Sequence, residues 1–268
     1  MVRSIRGGYG LGDALYVQSV ARYLVQEGHE VEACVAPQWA DVFIPLRDHV
    51  RLSDFRRDHI NVLAHYSMRR RLPNTTQWED VCIQSGIPTS AQLQLDWRPQ
   101  RPRPVVMANG RPIVLVQMPR APFGRADGYG VELLPRREAY QAALDALWDD
   151  VTLVQVGAGE AAYPLRVHVD MANHTTIGAL LDLAYYSAGM VGYVSFMVPL
   201  AESLCRPALM VWARGGLSSQ HVPVRQITPQ KVLHYKDLFR TVYDDADQDA
   251  IRNAAQSLCD KVRCGRAA

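Results

Sequence analysis

The feature that most constrains this chain is its opening. A short apolar segment, Val2 to Ile5, runs into Arg6-Gly7-Gly8-Tyr9-Gly10-Leu11-Gly12-Asp13-Ala14-Leu15, which places four glycines in six positions. An amphipathic run follows at once, with Leu15, Val17, Val20, Ala21, Leu24 and Val25 on one side. The pattern predicts strand, glycine turn and helix, an arrangement that brings main chain close to a ligand and leaves N–H groups pointing outward. Asp13 falls in the first helical turn, where the helix dipole favours its ionised form.

The segments that follow repeat the alternation. Gly28 stops the helix, and His29 to Ala36 alternates as a strand. Gln38 to Leu46 reads as a short helix, Ile60 to Ala64 as a buried strand, and Gln77 to Ser85 as a helix ended by Gly86 and Pro88. This βαβα order implies a parallel sheet with helices on its faces. The stretch Trp97-Arg98-Pro99-Gln100-Arg101-Pro102-Arg103-Pro104 cannot build a core and reads as a linker over 97–111.

A second α/β series begins at the continuous apolar strand Pro112 to Gln117. A loop from Pro119 to Gly130 follows, then a helix over Arg136 to Trp148 and a strand over Val151 to Val156 that ends in Gly157-Ala158-Gly159-Glu160. Val167 to Val169 reads as a short strand, Thr176 to Ser187 as a helix capped by Thr175 or Thr176, and Gly189 to Val194 as a strand. Pro199 to Leu204, Pro207 to Trp212 and Asp247 to Val262 complete the series as helix, strand and terminal helix. The expected fold class is α/β: two doubly wound Rossmann-type domains, at 1–96 and 112–245, facing across a cleft at the carboxyl ends of their strands.

Several functions are disfavoured. The glycine loop is no dinucleotide fingerprint, since Asp13 stands where the third glycine belongs and would repel a pyrophosphate; no Gly-Lys-Ser/Thr follows it, and no Gly-x-Ser-x-Gly elbow occurs. The five cysteines form no C-x-x-C pair, so no structural zinc site is expected and the thiols read as reduced. No apolar run reaches membrane-spanning length and the N-terminus shows no signal-peptide core, so a cytoplasmic location without integral membrane association is expected. What remains for the loop is to admit a substrate hydroxyl beside Asp13, or simply to begin a helix that Asp13 caps.

The net charge of +2 conceals a basic run, Arg47, Arg51, Arg56, Arg57 and Arg69-Arg70-Arg71, with Phe55, Tyr66 and Trp78 among it. A solvated face or an anionic acceptor suits it, the acceptor being a phosphorylated glycolipid or polysaccharide, or DNA with a hydroxylated base. His65 stands beside the run, so His65, Arg69 and Arg70 are acceptor candidates. Arg120 and Arg125, in the loop after the strand 112–117, are candidates for a phosphate.

The segment Arg6 to Leu15, with Ser19-Val20-Ala21-Arg22-Tyr23-Leu24, resembles the opening of the ADP-heptose:lipopolysaccharide heptosyltransferase family. Thr176 to Leu180, Ala188 to Gly192, and Ala201-Glu202-Ser203-Leu204-Cys205-Arg206-Pro207 are similar to that family's later helix, strand and alanine-rich helix before proline. The resemblance implies a GT-B fold, with an acceptor-binding first domain, a nucleotide-sugar-binding second domain, and a terminal helix (246–268) of the kind that often crosses back to the first. It implies inverting, metal-independent glycosyl transfer with Asp13 as base, Gly10 and Gly12 bringing the acceptor to it, and no cofactor besides the nucleotide-sugar substrate. Donor contacts are then expected from Gly157, Glu160 (toward the ribose), Ser195, Phe196 and Glu202, alongside Arg120 and Arg125. Val194-Ser195-Phe196 and Pro199 replace the family's Asp-Ser/Thr-Gly and His, which leaves an inert nucleotide-sugar- or nucleic-acid-binding module and a nucleotide-sugar epimerase as alternatives. A monomer or homodimer is expected.

Overall fold

The computed structural model describes residues 2–64, 74–102, 110–121, 133–214 and 228–264. The first unit comprises β1 (Val2–Arg6), α1 (Leu11–Gln26), β2 (Glu30–Cys34), a 3-10 segment (Pro37–Leu46), β3 (Val50–Leu52), β4 (Ile60–Asn61) and α2 (Gln77–Ser85). Its strands pair in the order β3-β2-β1-β4, all parallel. The second unit comprises β5 (Ile113–Gln117), α3 (Arg137–Asp145), β6 (Thr152–Val156), β7 (Val169–Asp170), α4 (Ile177–Tyr186) and β8 (Gly189–Gly192). It continues with α5 (Met197–Ser203), β9 (Ala208–Trp212), α6 (Pro229–Val232), β10 (Phe239–Tyr243) and α7 (Gln248–Cys264). Its parallel sheet runs β10-β9-β8-β5-β6-β7, so the strand order reverses between β5 and β8 as in a doubly wound dinucleotide fold.

The continuous apolar runs are explained by burial on both faces. Every residue of β5, β6 and β9 is buried. The pleat divides them: Val114, Val116, Leu153, Leu209 and Val211 join α3 and α7 on the outer face. Ile113, Leu115, Val154, Val156, Ala208 and Met210 join α4 and α5 on the inner face, in one core with α1 and β1 of the first unit. The two sheets therefore share a core rather than facing each other across solvent along their whole length.

Helix ends follow local chemistry. Thr76 caps α2 by accepting from the Glu79 N–H, Gly86 closes it in the left-handed region at φ 69°, and Thr176 caps α4 by accepting from Ala179 N–H. Among the described cysteines, Cys82 and Cys259 are buried, with thiols pushed up to about 12 and about 11 chiefly by that burial, while Cys205 is exposed.

Three expectations change. The terminal helix does not cross back over residues 248–264: Ile251, Ala255, Leu258 and Val262 pack on the outer face of the second sheet. A Cβ at Gly189 would lie 2.9 Å from Val262 Cγ2, so the strand and α7 touch closely. The bridge to the first unit is made instead by α6 and the segment after it, where Lys231 Nζ donates to Thr75 C=O at 3.1 Å and His234 Nδ1 lies 3.1 Å from Thr76 Oγ1. Nor does the linker begin as a featureless strand of chain. Ala91, Leu93, Leu95 and Trp97 are buried at every second position, and Trp97 Nε1 donates to the buried Asp182 of α4 at 2.9 Å. Leu95 N–H donates to Ser203 C=O at 2.8 Å and Leu93 N–H to Tyr235 Oη at 2.9 Å, so this extended strap ties the units together. Finally, the strand expected over Ile60 to Ala64 pairs only through Ile60 and Asn61.

Candidate active site

The carboxyl ends of both sheets converge where α1 meets α5. Asp13 is half-buried in the first turn of α1, and its Oδ2 accepts the Gly10 N–H at 3.1 Å. A Cβ at Gly8 would overlap that same oxygen, so the bare glycine is what lets the carboxylate sit over the turn. Burial pushes the Asp13 carboxyl above its usual value, and the Gly10 hydrogen bond offsets part of the rise. The next residue along the chain from Gly10, Leu11, is buried, while Tyr9 is 90% exposed with its carbonyl held by Trp39 Nε1–H at 2.8 Å. The loop is thus fixed in backbone and open at its tip.

Opposite stands the second unit. A Cβ at Gly12 would lie 3.3 Å from Phe196 Cα and 3.4 Å from Pro199 Cγ, so α1 and the start of α5 meet backbone to backbone. Ser195, half-buried, accepts a hydrogen bond from Gln117 Nε2 at the end of β5. Tyr193 Oη accepts the Arg120 N–H at 3.1 Å and lies 3.3 Å from Met118 C=O. The Arg120 guanidinium rests on the Gly157-Gly159 turn, where a Cβ at Gly159 would come within 3.0 Å of Nε; partial burial lowers the guanidinium below its usual value. Gly159, at φ 102°, donates its N–H to Asn173 Oδ1 at 2.7 Å, and Asn173 Nδ2 donates back to Gly159 C=O at 3.0 Å. Glu160 is exposed beside this turn, its carbonyl accepting the Ala121 N–H at 2.8 Å.

The arrangement sets Gly12, beside Asp13, against Phe196 and Pro199, and groups Arg120, Gly157 and Glu160 at the ends of β5 and β6. Glu202 does not join them. It is fully buried in α5, and its Oε1 accepts the backbone N–H groups of His234 at 2.6 Å and Tyr235 at 3.1 Å. Its role is to hold the bridging segment. His65, Arg69, Arg70 and Arg125 lie outside the described residues. In the described part of the basic run, Arg51 and Arg56 converge on Glu32 at 3.0 and 3.7 Å, and Arg47 pairs with Asp48 at 3.8 Å. The run is thus partly neutralised from within. Phe55 remains exposed under the Arg6 guanidinium, 4.8 Å from its ring centre.

Gln117, Tyr193 and Asn173 were not singled out from sequence. Gln117 did carry a signal: it is the one polar residue closing an otherwise apolar strand, at the end where ligands of such sheets bind.

Two parallel Rossmann-type sheets docked with their carboxyl ends together form the GT-B arrangement of glycosyltransferases. Among solved structures, the chain is similar to the E. coli ADP-heptose lipopolysaccharide heptosyltransferase II, with a TM-score of 0.57 and 14% identity over 98% of this chain and 100% of that one. It is also similar to the glycosyl transferase family 9 protein of Veillonella parvula DSM 2008, with a TM-score of 0.63 and 9% identity over 96% and 97% of the two chains. E. coli heptosyltransferase WaaC with ADP gives a TM-score of 0.59 and 10% identity over 98% and 100%. No protein-family model matches the sequence, and no curated protein matches it. The likeness is therefore one of fold, and it meets the fold expected from the glycine loop.

Proposed function

We propose that this chain is a glycosyltransferase that moves a sugar from a nucleotide-diphosphate sugar to a hydroxyl of an anionic acceptor, without a metal and with inversion. The observation that carries the reading is the meeting of α1 and α5. The raised carboxyl of Asp13 stands in the first turn of α1, where Gly12 meets Phe196 at the start of α5, and Arg120 rests on the Gly157-Gly159 turn of the second unit. A carboxylate there can take the proton of an attacking hydroxyl, and a base raised above the usual aspartate value is better matched to that task than an unshifted one. Ser195 Oγ–H and the Arg120 guanidinium supply a donor and a cation for the departing diphosphate, whose charge grows as the glycosidic bond breaks. Glu160, exposed beside that turn, would accept from ribose hydroxyls. That WaaC was solved with ADP supports a nucleotide as part of the donor.

The acceptor faces the first unit, where exposed Tyr9 and Phe55 flank the loop. A phosphorylated glycolipid or polysaccharide, or DNA with a hydroxylated base, is the proposed class. No helix among the described residues is long and apolar enough to cross a membrane; we propose a protein that works in the cytoplasm as a monomer or homodimer.

Asp13→Asn decides between base and cap. The amide oxygen still accepts the Gly10 N–H, so the helix start survives, whereas the base is gone. A drop in turnover of about 10²-fold or more, with nucleotide affinity and melting temperature nearly unchanged, is expected. A variant that still releases nucleoside diphosphate at the wild-type rate refutes the assignment. Failure of UDP-, GDP-, ADP-, CMP- and dTDP-sugars alike to raise the melting temperature of the wild type refutes the enzyme reading.

A further inference from the structure

The switch point of the second sheet holds a buried carboxamide that the proposed chemistry does not use directly. Gln117 ends β5, is 2% exposed, and has its main chain fixed by the Tyr140 hydroxyl, which donates to Gln117 C=O at 2.8 Å. Its side chain spans from β5 to the loop after β8. Oε1 faces the Tyr193 N–H at 3.4 Å, and Nε2 donates to Ser195 Oγ. Because a backbone N–H can only donate, it fixes which end of the amide is oxygen, and Nε2 must then face the serine. Gly192 belongs to the same device: a Cβ there would lie 2.9 Å from Gln117 Oε1.

A serine hydroxyl has one proton and two lone pairs. With a lone pair taken by the Gln117 amide, the Ser195 proton is left for an acceptor on the open side of the loop. We infer that Gln117 is a positioning residue that, by donating to Ser195 Oγ, turns the Ser195 proton toward the open side of the loop, so that the half-buried serine favours a ligand group that accepts, namely a phosphate oxygen of the sugar-nucleotide diphosphate. This rests on the donor-site reading above and adds the polarity of Ser195 and the residue that sets it.

Gln117→Glu reverses that polarity with almost no change of shape. One carboxylate oxygen still accepts the Tyr193 N–H, while the other accepts the Ser195 proton and places a negative charge behind the phosphate. ADP, UDP, GDP and dTDP are titrated singly by calorimetry against wild type, Gln117→Glu, Ser195→Ala and the double variant, at pH 8 and pH 5.5. Loss of a charge-assisted hydrogen bond predicts affinity about ten- to a hundredfold weaker at pH 8 in each single variant. The double variant is expected to be no weaker than Gln117→Glu alone, because both changes remove one interaction. At pH 5.5 the buried glutamate is protonated, donates to Ser195 as the amide did, and recovers affinity; packing damage would not be mended by acid. Where Gln117→Glu does not fold, Gln117→Met replaces it and is expected to weaken binding without adding to Ser195→Ala.

Nucleotide binding in the wild type that is untouched by Gln117→Glu, or losses that add in full in the double variant, overturn the role of Gln117 and leave the transferase reading standing. If none of the four nucleotides binds the wild type, the donor site itself is wrong and the inference falls with it. Deuterium exchange separates the two cases. Faster exchange of the Tyr193 to Phe196 amides in Gln117→Met shows the loop to be held by Gln117 whatever the ligand.

Discussion

Glu202→Gln tests the energetics of the bridge between the two units. Glu202 is fully buried, and its carboxyl is pushed from a usual value of 4.5 up to about 7 by loss of solvent; the N–H groups of His234 and Tyr235 oppose the rise but do not cancel it. Among the described residues its Oε2 has no hydrogen-bond partner, so ionisation leaves a buried lone pair unmet. The folded-state value is raised, so the sign is fixed. Between pH 4.5 and 7 the unfolded chain has lost this proton and the folded protein keeps it, and stability falls as pH rises through that window. At about 1.4 kcal/mol per pH unit, the loss is about 3 kcal/mol by pH 8. Glutamine keeps one oxygen for the two N–H groups and never ionises. It also buries an amide N–H where Oε2 was, at a cost of about 1–3 kcal/mol that does not vary with pH. The absolute effect is thus small at pH 8 and unfavourable at pH 4.5, while the difference between the two pH values is about 3 kcal/mol. Thermal melts of both proteins from pH 4.5 to 8 measure it. At about 2–4 °C per kcal/mol, the gap between their melting temperatures should shift by about 6–12 °C across the window. A gap constant to within about 1 kcal/mol would mean that Glu202 ionises as freely in the fold as in the unfolded chain.

Further outcomes follow from the same geometry. Gly8→Ala forces the Asp13 carboxylate off the Gly10 N–H, since a Cβ there overlaps Oδ2; turnover should fall at least about tenfold for a stability change of about 1 kcal/mol, read by product release and melting together. Asp182→Ala strips the acceptor from the Trp97 indole N–H and the Gln100 N–H, each at 2.9 Å, and should cost about 3 kcal/mol by urea unfolding; a loss below about 0.5 kcal/mol would show that the strap is held by packing alone. If Asp13 is the base, kcat/KM should rise with pH through a midpoint above the usual 3.8 of an aspartate, because only the ionised carboxylate accepts a proton; a profile that falls over that range points to another group.

The parts legible in the sequence were those with a strong period or a terminal signal. β5 and β9 stand out as apolar runs, α2 by Gly86 at its end and α4 by Thr176 at its start. The meeting of Gly12 with Phe196 joins two segments that each follow a parallel strand. What could not be read was set by tertiary contact. Ala91 to Trp97 alternates like a strand yet pairs with no sheet, and only packing between the units fixes its course. α7 has an apolar stripe that either unit could have covered, and the choice is made by Gly189 giving Val262 room. β3 and β10 went unnoticed because Arg51 and Arg240 interrupt them, and Glu202 looked like a ligand contact because nothing local shows that two distant N–H groups use it.

The shared core has a kinetic consequence. Ile5, Leu15 and Val17 of the first unit lie in one apolar body with Leu181, Met197 and Leu200 of the second, laced by the strap and by the His234–Thr76 contact. Swinging the units apart would expose that body to water at about 25 cal/mol for each Å² of apolar surface. A wide hinge motion between the units is therefore costly. If the chain binds a sugar nucleotide as proposed, its affinity is then not reduced by a rarely populated closed form. In solution scattering, the radius of gyration should stay the same as donor is added.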